Sequence, residues 1–143
     1  MADKEPAMFT RSLNPTFSDT DALGHINNTR IPVWFEFARN DVCQLFTPDL
    51  DPRKWVLILA RIEVDYRAEL YFNAPIEIRT GVSRIGSSSF TVSQALYQNG
   101  TLGAVGKTVM IHYDHQVKRA KPIPDGVRSE LESHLIDTAA FVS

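Results

Sequence analysis

The chain has little cysteine, no long apolar run and almost no net charge. A single cysteine, Cys43, excludes an internal disulfide and a metal site built from several thiolates of one chain, and it suits a reducing cytoplasm. No run of about 18 apolar residues occurs, which argues against a membrane-spanning helix. A formal charge of −2 provides no basic footprint for nucleic acid. We therefore expect a cytoplasmic protein without nucleic-acid or membrane partners.

Internal repeats, low-complexity segments and a signal peptide are also missing. The amino-terminal stretch MADKEPAMFTR lacks the apolar core that a signal peptide requires. A length of 143 residues predicts one domain over residues 1–143. At 43% hydrophobic residues, the chain can form a real core, although domains of this size often gain stability by oligomerising.

Residues 28–46 have the apolar periodicity of one long helix. The apolar positions at helical spacing are Ile31, Trp34, Phe35, Ala38, Val42 and Leu45. Their wide apolar face indicates a helix that other structure covers. Asn27 or Asn28 is the expected N-cap, which leaves Pro32 in or near the first turn, where proline is tolerated.

The remaining pattern is that of strands and turns. The predicted strands are 8–17, limited by Pro15, then 61–68, 76–82, 90–96 and 102–114. The alternation in 61–68 predicts a half-buried strand. Asn99-Gly100 is a hairpin signal, and a short helix is expected near 126–136. This order predicts an α+β domain in which a five-stranded antiparallel sheet curls around the long helix.

The segment FSDTDALGHINNTRIPVWFEFARND, residues 17–41, has the strongest functional signal. Asp19 and Asp21 precede a turn that ends at Gly24, and His25 and Asn28 follow just before the helix. A helix N-terminus offers unpaired N–H donors and a partial positive charge to a polarised carbonyl oxygen. A carboxylate in the preceding loop offers a base or a nucleophile. The segment therefore favours a hydrolytic site.

The run DTDALGHINN, followed by FEFAR, resembles the hotdog-fold acyl-CoA thioesterases of the 4-hydroxybenzoyl-CoA thioesterase type. The stretch RIEVDYRAELYFNAPIEIRTGVSRIGSSSF is similar to the second and third strands of that family, so the resemblance covers nearly the whole chain. It implies the hotdog fold, a sheet wrapped around one central helix. It also implies a homodimer with a joined sheet, often paired into a homotetramer, with sites at the subunit interface.

The resemblance assigns roles by position. It implies that Asp21 is the catalytic carboxylate and that the backbone N–H at Asn28 polarises the thioester carbonyl of an acyl-CoA substrate. Asp21 would activate water or attack directly to form an anhydride. No metal or redox cofactor is implied, because coenzyme A is part of the substrate. Ile31 replaces the aromatic residue of many members and Pro32 follows it, so acyl preference stays open.

Each residue of this loop also has an ordinary structural interpretation. Asp21 is equally suited to a turn or cap, and Asn28 to a helix N-cap. Asp19 is expected to bond loop amides, and Gly24 to supply a backbone conformation or close approach that a Cβ forbids. His25 is a candidate general base, because its unperturbed pKa is near neutrality, or else a residue that supports the loop.

Other polar residues are weaker candidates. Glu36 is either a second catalytic carboxylate or, as we expect, an ion-pair partner of Arg39. Cys43 is expected to be a packing residue. His112 and Asp114 fall on one face of a strand end and His115 on the other, which is too few ligands for a metal site.

Two polar segments are candidates for binding coenzyme A. The basic residues Lys118, Arg119 and Lys121 follow the last long strand and suit phosphate groups. The turn containing Arg84, Ser87 and Ser88 offers a guanidinium, hydroxyls and amides. Either segment is also compatible with an ordinary solvated loop.

Two rival functions remain open. A hotdog hydratase or dehydratase pairs an acid with a histidine, but the spacing from Asp21 to His25 is one residue short of its D-x4-H pattern. A thioester-binding scaffold without turnover is the other rival, and the presence of Asp21 counts against it.

Overall fold

The computed structural model describes residues 7–141, in which an antiparallel sheet curls around one long helix. The strands are β1 (Phe9–Leu13), β2 (Leu57–Tyr66), β3 (Ile76–Ile85), β4 (Ser89–Gln98), β5 (Thr101–Asp114) and β6 (Arg119–Ala120). The helices are α1 (Arg30–Cys43) and α2 (Asp125–Glu132). The sheet order is β1-β3-β4-β5-β2, and the two-residue β6 pairs with the end of β5. No helix within residues 7–141 is long and apolar enough to cross a membrane.

The α+β class and the antiparallel sheet of five strands are confirmed. Asn99 and Gly100 join β4 to β5 with φ values of 52° and 78°, the left-handed pair that a tight hairpin turn demands. Strands β2 to β5 run one to four residues beyond several predicted bounds. In contrast, β1 ends at Leu13 and not at residue 17, and β2 ends at Tyr66 and not at residue 68. β6 was not predicted, since two residues are too few to show an alternating pattern.

Helix α1 is shorter than predicted, because it begins at Arg30 and ends at Cys43. The predicted N-cap was one or two residues early, as Thr29 occupies that position. Asn27 still stabilises the start of the helix, because its Oδ1 accepts hydrogen bonds from the N–H and the hydroxyl of Thr29. Pro32 lies in the first turn, as expected.

The buried face of α1 packs closely on the concave side of the sheet. Phe35 is 1% exposed and lies over Gly106 of β5, where an added Cβ would come within 2.8 Å of its ring. The buried side chain of Gln94, on β4, donates a hydrogen bond of 2.9 Å from Nε2 to the carbonyl oxygen of Phe35. The helix is therefore fixed to the two central strands by shape and by a buried hydrogen bond.

Strand β2 departs from its predicted burial. It lies at the end of the sheet order and pairs only with β5. Along the whole strand only Leu57 is buried, whereas Leu59, Ile62 and Tyr66 are 49%, 41% and 52% exposed. The expectation of a half-buried strand was wrong, because alternation reports two chemically different faces but not whether anything covers them.

We expect Gly106→Ala to lower the free energy of unfolding by about 1–3 kcal/mol, because the new methyl group overpacks the Phe35 contact. Gly126→Ala is the matched control. Its Cβ meets open space within α2, so removing glycine should stabilise by about 0.4–1 kcal/mol. Urea unfolding at one fixed protein concentration measures both. Equal stability of the two variants would contradict the close packing of α1 on β5.

Candidate active site

A tight loop ahead of α1 holds the Asp21 carboxylate in one orientation. The Oδ1 atom of Asp21 accepts the N–H groups of Leu23 at 2.8 Å and His25 at 3.2 Å. The N–H of Asp21 donates to the carbonyl oxygen of His25 at 2.8 Å. Gly24 has φ +85° and open space at its Cβ position, so it supplies a backbone conformation rather than a close approach. Oδ2 of Asp21 accepts no hydrogen bond from residues 7–141 and remains available.

Asp19 accepts a loop amide, as the sequence led us to expect, and it also ties this loop to the helix. Its Oδ2 accepts the N–H of Thr16 at 2.8 Å, and its Oδ1 lies 3.3 Å from Nε of Arg30 in the first turn of α1. The carbonyl oxygen of Asp19 accepts the N–H of Asn27 at 2.7 Å. Asp19 therefore holds the loop both to the residues before it and to the start of α1.

The peptide groups of Asn28 lie where the loop enters the helix. Tyr66, at the end of β2, donates a hydrogen bond of 2.9 Å from its hydroxyl to the carbonyl oxygen of Asn28. Partial desolvation raises the pKa of the Tyr66 hydroxyl above its ordinary value, so the hydroxyl stays protonated and donates. The N–H of Asn28 has no acceptor among the described residues. Sequence reasoning missed Tyr66, because its partner is 38 residues away along the chain.

The three predicted catalytic residues share one cavity of about 360 Å³. Asp21, His25 and Asn28 line it together with Ile31, Tyr66 and the segment Arg67–Leu70. The ring of His25 forms no ion pair with the Asp21 carboxylate among the described residues. Its Nε2 lies 3.3 Å from Oε2 of Glu69, and the ring packs edge-on against Tyr71 at 5.4 Å. The cavity thus combines an unbonded carboxylate oxygen, an unbonded N–H at a helix N-terminus and an imidazole.

The expected ion pair between Glu36 and Arg39 is not formed among the described residues. Glu36 is exposed, whereas Arg39 is 6% exposed and donates instead to Oγ1 of Thr108 at 3.3 Å. The reason is that Arg39 lies on the covered side of α1 and Glu36 on the open side. Cys43 is buried, and burial raises the pKa of its thiol to about 11, which makes it a neutral packing residue.

The histidines near the end of β5 are bound to backbone. Nδ1 of His112 lies 2.9 Å from the carbonyl oxygen of Pro122, and Nε2 of His115 lies 3.0 Å from that of Leu57. No group of three or more potential metal-ligating side chains (His, Cys, Asp or Glu) occurs within residues 7–141. A larger cavity of about 680 Å³ lies beside His115, but it lacks a carboxylate next to a helix N-terminus.

The two predicted coenzyme A segments meet each other but not the Asp21 cavity. Carbonyl oxygens of Ser87 and Ser88 accept the N–H groups of Ile123 and His112, which places the turn beside the basic exit of β5. The Asp21 cavity lies at the opposite end of β5, where Gly103 bonds to Arg67 and Ala68. At the rise of an extended strand, the path along β5 from Gly103 to Asp114 is about 36 Å. One chain therefore does not bring Arg84, Lys118, Arg119 or Lys121 to Asp21.

Comparison with solved structures finds close relatives over most of the chain. A predicted thioesterase from Bacillus stearothermophilus is 41% identical, with a TM-score of 0.88 over 90% of this chain and 97% of that one. A thioesterase from Thermus thermophilus, complexed with coenzyme A and Zn, is 25% identical, with a TM-score of 0.79 over 90% and 93%. A 1,4-dihydroxy-2-naphthoyl-CoA thioesterase from Synechocystis, 15% identical with a TM-score of 0.75 over 87% and 95%, shares the fold.

A search of curated proteins finds no match. The model of the thioesterase-like superfamily matches residues 15–131, a range that includes the Asp21 loop, α1 and all of β2 to β5. This match spans well over half of the chain, and the Bacillus relative agrees with it. The chain therefore belongs to the thioesterase-like superfamily and has the hotdog fold.

Proposed function

We propose that this protein hydrolyses acyl-CoA thioesters to a free carboxylic acid and coenzyme A, as in the 4-hydroxybenzoyl-CoA thioesterase type. The observation that supports this most directly is the pairing of two unsatisfied groups in one cavity. The N–H of Asn28 and Oδ2 of Asp21 both lack partners among the described residues and line the same space. Coenzyme A in the Thermus thermophilus relative supports a CoA thioester as the substrate.

In this proposal the thioester carbonyl oxygen accepts the N–H of Asn28 at the N-terminus of α1. The donor and the helix dipole favour the negative charge that develops on that oxygen in the tetrahedral transition state. Tyr66 holds the Asn28 carbonyl and so orients the following peptide units. Because these groups are placed before substrate arrives, they cost no reorganisation during the reaction.

Asp21 acts on the other side of the carbonyl carbon. Its Oδ2 either takes a proton from an attacking water or attacks directly to form an anhydride that water then cleaves. In both routes the sulfur of coenzyme A leaves with the electron pair of the C–S bond. The two N–H groups on Oδ1 fix the orientation of the carboxylate and leave Oδ2 for the reaction. These groups suffice for hydrolysis without a metal or redox cofactor.

We expect Asp21→Asn to lower kcat at least about a hundredfold, because an amide is neither a base nor an effective nucleophile. The melting temperature should stay close to that of the wild type, since the amide oxygen still accepts the loop N–H groups. Asp19→Asn is the matched control. It weakens the link to Arg30 and should act mainly by lowering stability. Near-normal kcat in the Asp21 variant would contradict the assignment.

Release of free thiol from a panel of acyl-CoAs separates this function from its rivals. Hydrolysis releases coenzyme A, hydration changes only the acyl chain, and a scaffold protein binds without turnover.

We further propose a homodimer, itself able to pair into a tetramer, in which the β2 strands of two copies join their sheets. β2 is a ten-residue edge strand with exposed apolar residues, and Val33 and Phe37 beside it on α1 are 53% and 43% exposed. Such an edge invites pairing with another chain. A two-fold axis perpendicular to the sheet makes two identical edge strands antiparallel.

This pairing would bring the Asp21 cavity of one copy close to the basic segment, Lys118, Arg119 and Lys121, of the other. Tyr66, at the Asp21 end of β2, would lie next to Leu57 of the second copy. Leu57 bonds to His115, beside the turn that leads to Lys118, Arg119 and Lys121. The basic segment of one copy is thus proposed to bind the phosphates of coenzyme A whose thioester lies in the other copy's cavity.

Mixed dimers test this arrangement. Two tagged variants, Asp21→Asn and a chain with Lys118, Arg119 and Lys121 all changed to Gln, are co-expressed and the hybrid is isolated. If the basic segment acts across the interface, each hybrid has one intact site and should show about half of wild-type activity at acyl-CoA concentrations below KM.

If both groups acted within one chain, neither site of the hybrid would be intact and activity would stay at the level of the two parents. Sedimentation equilibrium of the wild type at micromolar concentration should show a dimer or tetramer. A fully active monomer would contradict the shared site.

A further inference from the structure

A second cavity, of about 470 Å³, lies in the groove between α1 and β2, and the positively charged side chain of Arg39 forms part of its wall. Its walls come from α1, β2 and β5 and from the loop before β2. The open side of α1 contributes Val33, Glu36 and Phe37, its covered side contributes Arg39, and the two strands contribute Leu59 and Met110. Most of these side chains are apolar. Arg39 is 6% exposed, so it belongs to the wall of the cavity and not to the solvated surface.

The guanidinium of Arg39 has N–H groups that are unpaired among the described residues and that retain access to solvent. It has five N–H donors, and its one hydrogen bond within residues 7–141 goes to the neutral hydroxyl of Thr108 at 3.3 Å. No carboxylate of the described residues lies within ion-pair distance of it. Partial desolvation lowers the pKa of Arg39, and the nearby Cys43 and Glu36 act in the opposite direction. Such a charge is costly unless an oxyanion or other acceptor completes it.

The position of Arg39 relates it to the Asp21 cavity. Asn28 and Ile31, at the start of α1, line the Asp21 cavity, and Arg39 lies two turns further along the same helix. At 1.5 Å per residue, Asn28 and Arg39 are about 16 Å apart along the helix axis, and an arginine side chain that leans toward the helix N-terminus shortens the gap. Val33 and Phe37, both exposed and apolar, lie on α1 between these two residues and line the second cavity. Helix α1 thus borders the Asp21 cavity at its start and carries Arg39, in the wall of the second cavity, further along, with exposed apolar side chains between them.

We propose that Arg39 binds a carboxylate at the far end of the acyl group, so that the preferred substrates are CoA thioesters of dicarboxylic acids. This inference rests on the proposed function and names its substrate class. The apolar interval takes the methylene chain, and the planar guanidinium takes the carboxylate in a paired, charge-assisted contact. Glu36 also lines the cavity, but its exposed carboxylate stays in water, where its repulsion of the ligand is screened.

Matched substrates of equal chain length test the proposal. We compare the eight-carbon dicarboxylic thioester, suberyl-CoA, with octanoyl-CoA. The wild type should have a kcat/KM for suberyl-CoA at least about tenfold above that for octanoyl-CoA. Without a cation in the site the order would be reversed, because the second carboxylate loses water when it is buried. Arg39→Met should lower kcat/KM for suberyl-CoA by at least about tenfold and change that for octanoyl-CoA by less than about threefold.

Arg53→Met is the matched control, because Arg53 is exposed and paired with Asp51 at the surface. It should leave both substrates unchanged. Arg39→Lys keeps the charge without the planar fork and should retain part of the preference. Glu36→Gln removes a like charge that is exposed and screened, so it should raise kcat/KM for suberyl-CoA only slightly and leave that for octanoyl-CoA unchanged.

The possible failures are distinct. Two results would overturn the role of Arg39 and leave the thioesterase proposal standing. One is an equal loss of kcat/KM on both substrates in Arg39→Met, and the other is a wild type with equal kcat/KM for octanoyl-CoA and suberyl-CoA. If Arg39→Met does not fold, the wild-type preference and Arg39→Lys decide the question. No thiol release from any acyl-CoA would overturn the proposed function and this inference with it.

Discussion

The close packing of α1 on the sheet is the contact on which the rest of the structure depends. Phe35 can lie directly over β5 because Gly106 presents no side chain there, and Gln94 binds the helix backbone from the neighbouring strand. A helix seated this deeply lets the sheet curl around it. The same packing determines the positions of both ends of the helix and of the polar groups that those ends expose.

The candidate site is a consequence of that placement. The N-terminus of any helix has N–H groups without partners, but only a helix start that borders a cavity can offer one to a ligand. Tyr66 holds the start of α1 at the end of β2, and the Asp21 loop closes over the same point. Within that loop the division of labour is plain: one carboxylate oxygen of Asp21 shapes the turn, and the other is left for chemistry.

The open edge of the sheet connects the three proposals. β2 and the open side of α1 form a groove that is apolar, exposed and lined at its far end by the buried Arg39. A protein that leaves a long edge strand uncovered risks uncontrolled association unless a defined partner covers it. A second copy of the chain would satisfy the edge and would enclose the groove. Enclosure strengthens each charge interaction within it, because water is excluded.

Features that depend on near neighbours in the chain could be read from the sequence. The alternating strands, the long amphipathic helix and the left-handed pair Asn99-Gly100 are of this kind. So is the loop from Asp19 to Asn28, where the residues that share the cavity are close together in sequence. Local steric rules and the periods of helix and strand act over a few residues, which is why these expectations agree with the structure.

Only the tertiary structure decided the rest. Several features depend on which elements become neighbours in space. They are the uncovered edge at β2, the contact of Arg39 with Thr108 rather than Glu36, and the hydrogen bond from Tyr66 to Asn28. The same holds for the separation of Lys118 and its neighbours from the Asp21 cavity, which follows from the length of β5. The physical reason is that burial and long-range contacts arise from packing the whole chain at once, whereas a sequence pattern describes one segment at a time.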